Sequence, residues 1–179
     1  MPNPPSGSND LCAPILTLAE FEKLRDQEGD EFGAIVATSG GFDPIHPGHI
    51  SCIIESKKFG DTLVVIVNGD NFLVNKKGKA FQDLATRAYI VSAIRGVDYV
   101  VTFEIENDPT VAVALRSIRP HIFTKGGDRV IGKSFDETEM SACIDYSIKV
   151  IDGVGLSKNW SSSDFLRKWG EFLKGAQPQ

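Results

Sequence analysis

Two hydrophobic periods alternate along the chain. "TLAEFEKLRDQEG" (17–29) spaces its apolar residues as a helix does and opens on Thr17 with Glu20 three residues later, a capping box. "AIVAT" (34–38) and "DTLVVIVN" (61–68), the latter rich in β-branched residues, are unbroken runs of the kind that inner strands use. Between them "HISCIIESKKFG" (49–60) sets Ile50, Ile53 and Ile54 at helical spacing and ends on Gly60, so 34–68 reads as one βαβ unit. The pattern then repeats: a helix over 83–96, a strand over 98–103, and a helix over 108–118 with Pro109 in its first turn. Strands at 121–124 and 147–152 flank a short helix near 136–145, and a capped amphipathic helix covers 161–175.

This alternation predicts an α/β fold, a Rossmann-like, doubly wound and mostly parallel sheet of five strands with helices on both faces. A single domain over 15–179 is expected behind a disordered arm at 1–14. Ligands of such sheets bind beyond the carboxyl ends of the strands. The glycine-rich or basic segments 39–49, 69–79 and 125–133 follow the first, second and fourth predicted strands, so one site is expected there.

Composition narrows the ligand. A chain of 179 residues with 41% hydrophobic and 24% charged residues can bury one core. No apolar run nears the roughly 18 residues of a membrane span. A net charge of −5 counts against nucleic acid and against an anionic membrane surface. Basic residues nonetheless cluster in "NKKGK" (75–79) and "TKGGDR" (124–129), which suggests a small anion. The opening "MPNPPSGSND" lacks the basic and apolar regions of a secretory signal and reads as an arm of a cytoplasmic protein. Cys12, Cys52 and Cys143 are too scattered for a disulfide framework or a thiolate zinc site.

Three phosphate-binding patterns compete. The turn after the first strand, "SGGFDPIHPGH", does not fit the G-x-G-x-x-G of dinucleotide folds. "GDRVIGKS", Gly127 to Ser134, is a literal G-x-x-x-x-G-K-S with Lys133 in the phosphate-binding position. A P-loop usually follows the first strand of its core, and only 45 residues follow Ser134. The third pattern is H-P-G-H itself, His46 to His49, between a strand and a helix. Two histidines three apart at a helix start can face one anion together, aided by the backbone N–H groups and partial positive charge of the helix end.

The third pattern resembles the H-x-G-H signature of the nucleotidyltransferase superfamily, and the likeness runs past it. "GGFDPIHPGHI", "GDTLVVIVNGDNFLVNKKGKAF", "TRAYIVSAIRGVDYVVTF", "RPHIFTKGGDR" and "WSSSDF" are similar, in that order, to successive motifs of glycerol-3-phosphate cytidylyltransferases and heptose-1-phosphate adenylyltransferases, over roughly residues 15–168. The resemblance implies transfer of an NMP from CTP or ATP to a small phosphorylated sugar or polyol, with Mg²⁺ accompanying the NTP, pyrophosphate released and a homodimer formed. Catalysis would fall to His46, His49, Lys77 and Lys79. Gly40, Gly41, Phe42, Asp43 and Gly48 would form the loop over the triphosphate, with Asp43 touching magnesium or the acceptor. Lys125, Gly126, Gly127 and Asp128 would approach base and ribose, and Ser161, Ser162 and Ser163 the β and γ phosphates. Lys79 and Arg87 would hold the acceptor phosphate. One departure is plain: Leu156 stands where glycerol-type cytidylyltransferases carry an arginine, with Lys158 two residues on.

Each residue also has a plainer reading. Lys77 and Lys79 could be a solvated charge run, Arg87 a surface arginine, and the serines a simple helix cap. His121 reads as a structural histidine. For the chain, the alternatives are a non-catalytic nucleotide sensor of the same fold and a P-loop phosphotransferase using Gly127 to Ser134.

Overall fold

In a computed structural model, residues 11–104, 110–127, 136–157 and 159–175 are described. They build a six-stranded parallel sheet in the order β1-β4-β3-β2-β5-β6. The strands are β1 (Ile15–Thr17), β2 (Ile35–Gly40), β3 (Thr62–Asn68), β4 (Tyr99–Phe103), β5 (Ile122–Gly126) and β6 (Lys149–Val154). The helices are α1 (Leu18–Glu28), α2 (Pro47–Ser56), α3 (Asp70–Lys77), α4 (Leu84–Ser92), α5 (Ala112–Ile118), α6 (Glu137–Asp145) and α7 (Ser162–Gly175).

The sixth strand corrects the expectation of five. β1 is three residues long, too short to show a period, and forms the edge beside β4, with Ile15 opposite Val100. Residues 11–14 are held as well: Ala13 N–H donates to the Ser92 carbonyl and Val100 N–H to that of Pro14. Residues 1–10 of the expected arm lie outside the described residues. The glycine-rich, basic segment 69–79 holds a helix that the sequence reading did not include, Asp70–Lys77, ending on Gly78 at φ 84.

Strand alternation sorts the core into two layers. Ala37, Val64, Ile66, Val101 and Phe123 face α1, α5 and α6 through Phe21, Leu115 and Ala142. Val36, Val65, Val67 and Val100 face α2 and α4 through Ile53, Ala88 and Val91. On α2 the buried face is Cys52, Ile53 and Ser56, whereas Ile50 and Ile54 are partly exposed, a rotation of the apolar stripe expected from sequence. α1 carries the capping box: Glu20 N–H donates to Thr17 Oγ1 and Thr17 N–H to the Glu20 carboxylate. α7 buries none of its residues and leaves Phe165, Trp169, Phe172 and Leu173 exposed.

Candidate functional site

The carboxyl end of β2 runs through Gly40 and Gly41 into the start of α2. His46 caps that helix, with Pro47 in its first position, and His46 Nδ1 accepts from the His49 backbone N–H at 3.3 Å. An accepting Nδ1 leaves the proton of neutral His46 on Nε2, available as a donor. The two imidazoles stack, with centroids 3.6 Å apart and planes 14° from parallel. A Cβ on Gly48 would sit 3.2 Å from the His46 ring, so this glycine leaves room for the stack. Phe42, at φ 51, turns its ring edge-on to His49 at 5.1 Å and lies where a Gly40 side chain would be.

Burial, the neighbouring His46 and nearby Lys76 hold His49 down to about 3, and burial also lowers His46. The pair is therefore neutral at pH 7 until an anion arrives to favour its charged form. His49 Nδ1 is buried with no hydrogen-bond partner.

The rings open on a cavity of about 540 Å³, within the range of small-molecule sites. Gly40, Gly41, Phe42, His46, Gly48 and His49 line one part of it. Lys125, Gly126 and Gly127 come from the end of β5, and Ser161, Ser162 and Ser163 from the start of α7. Ser162 Oγ donates to the Pro44 carbonyl at 2.8 Å, tying α7 to the loop, and Ser161 Oγ accepts from Asp164 N–H as a cap. Leu156 also lines the cavity. Asp128, Lys158 and most of the G-x-x-x-x-G-K-S pattern lie outside the described residues.

Four expected residues are placed elsewhere. Asp43 is buried, its two oxygens accepting from the Phe81 and Gln82 backbone N–H groups at 2.8 Å while Lys77 Nζ lies 2.6 Å from Oδ2. Its carboxylate staples the loop instead of reaching toward metal or acceptor. Lys77 also donates to the Asp43 carbonyl, so it serves the loop. Lys79 is exposed and is not among the cavity-lining residues. Arg87 is 0% exposed: Nη1 donates to the carbonyls of Gly41 (2.8 Å) and Asn68 (2.6 Å), Nε to that of Gln82, and Nη2 pairs with Asp70. A guanidinium so enclosed braces the loop through three carbonyls and one ion pair.

Lys76 and Asn68, not singled out in the sequence, line the cavity in their stead. Because 70–77 is a helix, Lys76 reaches the cavity, one position from Lys77. Pleating of β5 sends Lys125 toward α6, where Glu139 Oε2 is 2.9 Å away, and leaves Gly126 on the α2 side, where a Cβ would meet Cys52 Sγ at 2.7 Å. Asn68, at the end of β3, lines the same cavity. Period two along "DTLVVIVN" is the signal that could have placed Asn68 at the rim. His121 is structural, its Nδ1 accepting from Ile35 N–H at 2.9 Å.

No three His, Cys, Asp or Glu side chains gather into a cation site among the described residues. Among the described residues, Asp43 has both carboxylate oxygens engaged by the loop and Lys77. No helix among the described residues is long and apolar enough to cross a membrane.

Residues 37–166 match a family model described as cytidylyltransferase-like. The bifunctional protein HldE of Aliarcobacter butzleri (strain RM4018) is 35% identical over 146 residues, covering 78% of this chain and 29% of that protein. HldE of Histophilus somni (strain 129Pt) is 42% identical over 96 residues, covering 52% of this chain and 20% of that protein. The chain thus spans less than a third of the length of these relatives. Among solved structures, the lipopolysaccharide core biosynthesis protein from Thermoplasma volcanium GSS1 superposes with a TM-score of 0.58 at 30% identity, over 70% of this chain and 99% of that one. A pantoate-beta-alanine ligase from Francisella tularensis shares the fold, with a TM-score of 0.53 at 16% identity over 91% of this chain and 79% of that one. The match over most of its sheet and across both histidines carries the conclusion that this chain belongs to the cytidylyltransferase-like family.

Proposed function

We propose that the chain is a nucleotidyltransferase that moves an NMP from ATP or CTP onto the phosphate of a small sugar or polyol. The observation that carries this reading is the stacked His46–His49 pair at the start of α2, opening on the cavity at the carboxyl edge of a parallel sheet. A phosphate monoester is largely a dianion at neutral pH, so its oxygen can attack the α-phosphorus without a general base. A P–O bond forms there as the bond to the β-phosphate bridging oxygen breaks, and pyrophosphate leaves with the electron pair. The protein's task is to place donors where charge spreads in the transition state. This reading assigns that role to His46 Nε2–H, the Gly48 amide and the first turn of α7. Mg²⁺ would arrive as the counter-ion of the NTP, held by phosphate oxygens and water. The resemblance to heptose-1-phosphate adenylyltransferases and the likeness to a lipopolysaccharide core biosynthesis protein support a phosphorylated sugar as acceptor. A homodimer and a cytoplasmic setting belong to the same reading, the former testable by sedimentation.

The experiment incubates the chain with each NTP, Mg²⁺ and a panel of sugar and polyol phosphates, and follows pyrophosphate. Turnover with ATP or CTP that falls at least about 100-fold in His46→Ala and His49→Ala is expected. Nucleotide binding without turnover, or orthophosphate release abolished by Lys133→Ala while the histidine variants stay active, would overturn it.

A further inference from the structure

The sheet divides the cavity wall by side. His46, His49 and Gly126 stand on the α2 side, whereas Asn68 and Lys125 follow Ile66 and Phe123 in the pleat and turn to the α5/α6 side. Lys125 pairs there with Glu139, and Thr110 lines the same cavity. Asn68 is 5% exposed, and its side-chain oxygen is buried without a hydrogen-bond partner. Such an atom is rare in folded proteins and marks a place where a ligand donor would recover lost hydrogen bonding. Lys125 and Glu139, 4% and 7% exposed, cancel each other's charge at 2.9 Å, and Glu139 Oε1 accepts from Val111 N–H as well. Thr110 adds a hydroxyl that accepts from Ala112 N–H and Thr138.

With the Asp136 carboxylate also on the cavity wall, a lobe of one ion pair, a carboxamide and a hydroxyl gives no attraction to a phosphate but matches alcohol groups, which both donate and accept. We infer that this lobe holds the hydroxylated carbon skeleton of the acceptor, one of whose hydroxyls donates to Asn68, while the acceptor phosphate lies on the histidine side. Asn68 is thus a specificity-determining residue, an inference that rests on the nucleotidyl-transfer reading above.

The test measures KM for the acceptor and for the NTP, by pyrophosphate release, in the full chain and in Asn68→Ala. It uses the best aldose or polyol phosphate of the panel and its single-deoxy analogues. Loss of one hydrogen bond should raise the acceptor KM roughly 3- to 10-fold in Asn68→Ala and leave the NTP KM within about twofold. One deoxy analogue should show the same penalty with the wild type and lose it in Asn68→Ala, a coupling that a merely structural role would not produce. A rise in NTP KM instead would assign Asn68 to the nucleotide and overturn the inference, as would deoxy penalties unchanged by Asn68→Ala. Should that variant fail to fold, the wild-type deoxy series decides alone, and a flat series overturns the inference. No pyrophosphate from any pairing overturns the transfer reading and this inference with it, whereas turnover with a flat series overturns only the latter.

Discussion

Arg87→Met tests whether the buried guanidinium is a brace or a substrate ligand. Methionine keeps most of the volume and removes every donor. Asp70, its side chain 40% exposed, can turn to water at little cost. The carbonyls of Gly41, Asn68 and Gln82 lose their charged donor, and that of Asn68 does so in a buried setting. At about 1–3 kcal/mol for each unsatisfied buried group, and about 3–5 kcal/mol for breaking a buried charged network, the expected loss is about 3–5 kcal/mol. With a urea dependence of about 2 kcal/mol per molar, the unfolding midpoint should fall by about 1.5–2.5 M. Arg87→Lys should recover only part of this, since an ammonium lacks the fork that reaches three carbonyls at once. A midpoint within about 0.5 M of wild type, combined with a raised KM for the phosphorylated acceptor, would refute the brace and restore the arginine as a ligand.

Stability should fall as pH drops from about 6.5 toward about 3, because the unfolded chain takes up a proton at His49 that the folded chain refuses. At pH 5 the deficit from His49 alone is about 2 kcal/mol, visible in urea unfolding at pH 5 and 7 and diminished in His49→Asn. Binding of an NTP at pH 6 should draw protons onto the histidine pair, so calorimetric enthalpies should depend on the buffer's ionisation heat; identical enthalpies in MES and Bis-Tris would refute it. Gly155→Ala should lose about 2–3 kcal/mol by thermal unfolding, since φ is 88 and the new Cβ would lie 2.7 Å from the Cys52 backbone nitrogen. Gly127→Ala, at φ 74 with nothing within 4 Å, should lose only about 1 kcal/mol.

Long apolar runs made the inner sheet legible, because β2 and β3 are buried on both faces and need unbroken hydrophobicity. β1 escaped notice because three edge residues carry no period. The histidines were readable because they sit together in sequence, at a junction whose chemistry is local. Asp43, Lys77 and Arg87 were readable as charges but not as partners: which of them faces the cavity depends on the α3 helix phase and on contacts 34 to 46 residues apart. Lys125 and Glu139, one ion pair made by two segments, lay beyond any local pattern.

The hydrogen bond from Arg87 to the Gly41 carbonyl reaches further than stability. A trans peptide carries its C=O and N–H on opposite sides, so drawing the Gly41 oxygen inward turns the Phe42 amide hydrogen away from the guanidinium. The arginine thereby orients a small fixed dipole in the turn whose Phe42 ring meets His49. A cation sealed beneath a ligand site can still shape the electrical polarity of its surface.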